Sequence, residues 1–69
     1  MVEVFKTNVY EQDQAMEILD ALVLHFPLFK INFDLDDCDK ILRVEGESIS
    51  QEKIITLMST NGYQCTSLD

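Results

Sequence analysis

Sixty-nine residues suffice for one hydrophobic core and no second unit, and 46% hydrophobic with 26% charged residues is a globule's mixture, not that of a disordered or membrane chain. Thirteen acidic residues against five basic ones leave a formal net charge of -8 with no lysine or arginine cluster, which excludes a nucleic-acid partner by charge repulsion. The longest apolar run, Ala21–Leu24, cannot span a bilayer and Met1-Val2-Glu3 opens no export leader, so we expect a cytoplasmic chain with no membrane partner and with reduced thiols at Cys38 and Cys65.

Val2, Val4, Phe5, Thr7 and Val9 form a β-prone opening, read as a strand over about 2–8 and closed by the polar run Glu11-Gln12-Asp13-Gln14. From Glu11 to His25 the apolar residues Ala15, Ile18, Leu19, Leu22 and Phe26 recur at three- and four-residue spacing, which places them on one helical stripe. Acidic Glu11 and Asp13 complement the positive end of that helix, and Pro27 stops it. Phe29, Ile31, Phe33 and Leu35 alternate strictly with Lys30, Asn32, Asp34 and Asp36, the period of a strand with one buried and one wet face. Asp36-Asp37-Cys38-Asp39 read as a hairpin turn before a third strand through Leu42 and Val44. Ser50 is the expected N-cap of a second helix over about Gln51–Thr60, with Ile49 and Ile54 spaced for a hydrophobic staple. Gly62 suits a left-handed C-cap, leaving Tyr63–Leu68 as a short last strand.

Right-handed crossovers pack this order into a two-layer α+β sandwich, a ferredoxin-like βαββαβ single domain over 1–69 with antiparallel strand order 4-1-3-2. Both helices then lie on the Phe29 face, with Phe29, Ile31, Phe33, Leu42 and Val44 inward and Lys30, Asn32 and Arg43 on the open face.

Three stretches resemble the heavy-metal-associated domain, the module of copper chaperones and metal-ATPase N-termini. Ile18-Leu19-Asp20-Ala21-Leu22 is similar to its first-helix segment, Phe29–Leu35 to its alternating strand ending in Asp-Leu, and Asn61-Gly62-Tyr63-Gln64-Cys65 to its Gly-Tyr turn before the last strand. That family holds soft metal through two cysteines in the loop after the first strand. Counting back from Ile18 places Asn8 and Val9 at its Gly-Met positions and Glu11 and Gln14 at the two cysteine positions, so the resemblance carries a fold but no ligand set. The expectation is a degenerate member lacking the MxCxxC motif, with no cofactor and no metal.

The weak metal candidates are Cys38 and Cys65, placed by the topology at the same end as the family's metal loop but two or three strand spacings of ~4.8 Å apart, too far for a disulfide. Against a thiolate pair stands the bland reading, a small core residue at Cys65 and an exposed turn residue at Cys38. His25 falls at the opposite end of a helix ~20 Å long and has no nucleophile within reach. Asp34, Asp36, Asp37 and Asp39 crowd one hairpin without the glycine and distal glutamate of a calcium loop, and read as a solvated edge. No catalytic set is visible, so no enzyme is expected. On the first helix Met16 and Val23 widen the apolar stripe to ~160° and Leu24 lies outside it, which marks Met16, Val23 and Leu24 as the candidate interaction surface beside the plainer reading of border core residues. The expected role is a metal-free interaction or accessory module binding itself or another protein. The alternatives are a soft-metal (copper or zinc) handling protein with atypical ligands, or a small-molecule-sensing dimer.

Overall fold

The computed structural model describes residues 1–68 and runs β1 (Val2–Thr7), α1 (Gln12–His25), β2 (Lys30–Asp34), β3 (Ile41–Glu45), α2 (Gln51–Thr60) and β4 (Cys65–Ser67). The four strands make one antiparallel sheet in the order β2-β3-β1-β4. The order 4-1-3-2 written from the sequence counts the same neighbours from the β4 edge. Helix α1 packs on β2, α2 packs on β4, and the helices touch each other, so both cover one face of this α+β arrangement.

Alternation within the strands decides which side chains meet the helices. Phe5 pairs with Leu42, and Ile31 with Val44, so one face of the ladder is apolar through its centre. Phe5, Leu42 and Val44 are fully buried there against Ile18 and Leu22 of α1 and Ile54 and Met58 of α2. Each such side chain contributes ~1.5–3 kcal/mol by leaving water. Lys30, Asn32 and Arg43 are exposed on the opposite face, which is the expected register. Phe29 and Phe33, expected inside, are only half-buried, because β2 is an edge strand with a neighbour on one side alone. Ile41 lies on the open face between Lys6 and Asp34 in the ladder and is nonetheless buried.

The helix ends are fixed by local chemistry. Phe26 caps α1, its N–H donating to the Leu22 carbonyl at 2.8 Å, and its ring stacks on Phe29 at 5.6 Å between centroids. Phe29 in turn lies over Gly46, where a Cβ would collide with the ring. Ser50 Oγ accepts the Lys53 N–H at 3.3 Å and opens α2. At its other end Gly62 takes a φ of 89°, donating to the Ser59 carbonyl while Tyr63 donates to Met58, both at 2.9 Å. This six-to-one closure needs a left-handed residue, which glycine adopts without steric cost. It also explains why β4 is shorter than the expected Tyr63–Leu68. The Tyr63 N–H is spent on the helix and the Gln64 N–H on the Asn8 side chain, so the ladder starts at Cys65.

Candidate functional site

The β1–α1 loop, the β2–β3 hairpin and the α2–β4 turn meet at one end of the sheet. Here their polar groups tie the loops together. The Thr7 N–H donates to the Asp39 carbonyl at 3.1 Å and the Thr7 hydroxyl to the Lys40 carbonyl at 2.6 Å, while Thr7 Oγ1 accepts the Val9 N–H at 3.2 Å. Asn8 Oδ1 accepts the Gln64 N–H at 2.8 Å, joining the first loop to the last turn. Gln14 Oε1 accepts the N–H groups of Tyr10 and Glu11, both at 3.3 Å, and so caps α1. Val9 is fully buried. Asn8 and Gln14 thus hold backbone, Val9 fills core, and Glu11 stands exposed at the helix N-cap.

Both cysteines are free thiols, Cys38 exposed in the hairpin and Cys65 half-buried opposite Thr7 in the ladder. Burial pushes the Cys65 thiol up to about 12, because removal from water penalises the thiolate. A soft metal needs that thiolate. Among the described residues Asp37, Cys38 and Asp39 bring ligand atoms within 4.8 Å of one another, and Cys65 is not among them. Asp37 Oδ1 already accepts the Asp39 N–H at 2.8 Å, and Asp39 faces Lys6 Nζ at 3.7 Å. Two hard carboxylates and one solvated thiol suit neither copper(I) nor a structural zinc.

His25 sits at the far end of α1, with Nδ1 2.9 Å from the Ala21 carbonyl oxygen. It borders a shallow groove of about 570 Å³ between the helices, lined also by Phe26, Lys53, Thr56 and Leu57. The groove lies between helix and helix, whereas the ligand-sensing alternative expects a site between helix and sheet.

The third candidate region is the outer side of α1. Met16, Val23 and Leu24 are 60%, 47% and 78% exposed, so none of them is a border residue of the core. At 100° per residue Met16 and Val23 flank half-buried Leu19 on the side of α1 turned away from α2, while Leu24 lies on the solvent side between Glu17 and Asp20. Below that flank runs β2 with half-buried Phe33 and Leu35, and Leu28 before the strand is 92% exposed. Apolar side chains are thus incompletely covered both on α1 and on the edge strand that it packs against. Leu28, Phe33 and Leu35 were not recognised as part of this surface from the sequence, although the strand order itself places β2 at an edge.

Comparison of the chain with protein-family models, with curated proteins and with solved structures finds no match. No helix among the described residues is long and apolar enough to cross a membrane.

Proposed function

We propose that this chain is a non-enzymatic interaction module of ferredoxin-like βαββαβ topology, a heavy-metal-associated-like domain without that family's metal role, which binds itself or another protein through α1 or an edge strand. The observation that carries this reading is the exposure of Met16 and Val23 on α1, the helix that packs on the edge strand β2. Large apolar side chains left in water on so small a domain favour a protein partner over solvent. At the loop end Thr7, Asn8 and Gln14 are engaged in holding the fold, and the groups left exposed there, carboxylates and the single thiol of Cys38, make no soft-metal set.

The test is photocrosslinking in the source cells from a photoreactive residue placed at Met16, with the exposed Thr56 of α2 as the control position. A defined adduct, with a second copy or with one other protein, is expected from position 16 and not from position 56. Absence of any adduct from position 16 would overturn the reading.

A further inference from the structure

The β2 edge is self-complementary. If two β2 strands lie antiparallel about a two-fold axis through Asn32, Lys30 of each faces Asp34 of the other, Ile31 faces Phe33, and Asn32 faces its own copy. Extending the register by one residue brings Phe29 opposite Leu35. Every charge on the open face then meets its opposite, and every inner-face position meets an apolar one. Within the chain Lys30 lies opposite Glu45, and Asp34 lies opposite Ile41. The cross-copy register therefore adds a cation facing Asp34 that its own ladder does not place there. Alternation alone makes a strand of odd length symmetric in hydropathy about its middle residue, so the feature specific to this strand is the placing of opposite charges, Lys30 and Asp34, at equal distances from Asn32.

We infer that the occupant of this surface is a second copy of the chain, paired β2 to β2 in that register to form one continuous eight-stranded sheet. The inference rests on the interaction reading above and narrows it to self-association through one edge. A two-fold axis normal to the sheet keeps all four helices on one side and sets the two α1 helices antiparallel, with Met16 of one beside Val23 of the other. Both residues lie on the flank turned away from α2, as this arrangement requires. The helix contact is needed. An edge of five residues spans only ~17 Å, and a stable interface buries ~800 Å² per partner, so strand pairing alone is too small. Phe33 and Leu35, half-buried in the single chain because β2 is an edge, gain cover from the partner's inner-face residues in this pairing. The opposite edge, β4, has three residues and offers no comparable ladder.

Charge exchange in the full chain tests the register. Asp34→Lys opposes two lysines at both ends of the two-fold pair, and Lys30→Asp opposes two aspartates. Each variant alone should raise the dimer dissociation constant about tenfold in sedimentation velocity. An equimolar mixture of the two should restore it, because each lysine then faces an aspartate. Net charge gives the contrary expectation for Asp34→Lys, which makes the chain two units less negative and relieves overall repulsion. Both positions are exposed, and circular dichroism checks that the variants remain folded. A wild-type chain that stays monomeric at millimolar concentration would overturn the inference, as would single variants that dimerise like wild type or a mixture that fails to recover. If position 16 meanwhile crosslinks to a different protein, the interaction reading stands and only the self-pairing falls.

Discussion

The loop end of the sheet and the α1–β2 flank are built from the same short chain and leave opposite things undone. At the loop end Thr7, Asn8 and Gln14 bond backbone across three loops, and Val9 is sealed in the core. Along the flank the polar bookkeeping is trivial, and it is apolar surface, at Met16, Val23 and Leu28, that stays in water. A polar side chain engaged in holding a loop gives up the freedom to rearrange around a ligand, whereas an exposed apolar side chain gains free energy when anything dry covers it. That contrast directs attention to the flank, although family resemblance points to the loops.

Neighbouring residues on α1 give the sharpest test of it. Leu22 is fully buried, and Leu22→Ala should cost ~2–5 kcal/mol in urea unfolding through lost contacts and the cavity left behind. Val23 is next in sequence and on the flank, so Val23→Glu should change unfolding by less than ~1 kcal/mol while weakening association. A large stability loss at Val23 would return it to the core and dissolve the contrast. Gly46→Ala comes next. It drives a methyl group into the Phe29 ring at the entrance to β2 and should cost ~1–3 kcal/mol, with the change in near-ultraviolet or ring NMR signals concentrated in the stacked Phe26–Phe29 pair.

Smaller effects probe the loop end. The Cys65 thiol is held at about 12 when folded, above its ordinary value near 8.5 when unfolded. Between those values the unfolded chain has lost the proton that the folded chain keeps. Stability from this group is thus complete below about pH 8.5 and lost as pH rises toward 12. Thermal melts of wild type and Cys65→Ala should therefore converge with rising alkaline pH if wild type starts the more stable, and exposed Cys38 should alkylate well before Cys65 at pH 8. Equal alkylation rates would show that Cys65 is open after all. The smallest expected effect is no effect. At one equivalent, copper(I) or zinc should not be retained against glutathione or a thiol chelator, since one solvated thiolate among carboxylates binds far more weakly than a two-cysteine site. A one-to-one copper(I) complex abolished by Cys65→Ser would promote the atypical-ligand alternative and break the comparison at its other half.

Much of the architecture was legible in the residues because it depends on local periodicity. The two-residue alternation from Phe29 to Leu35 assigned the faces of β2, and the three- and four-residue spacing from Ala15 to Leu22 assigned the inner side of α1. Ser50 and Gly62 marked the limits of α2 because capping is chemistry between near neighbours. The candidate surface was legible only in part. A helical wheel shows that Met16 and Val23 lie beside the core stripe, yet a border residue is buried or exposed according to what stands next to it.

What the sequence by itself determined was the order of elements, the inward faces and the absence of a paired-cysteine loop, since each follows from residue type and spacing within one segment. Only the tertiary structure decided that Asn8 reaches Gln64 across 56 positions, that Cys65 is shielded, and that Phe33 is half-covered. These depend on which segments become neighbours. A side chain's burial is a property of the packing around it, and that packing comes from strands and helices far away in the chain.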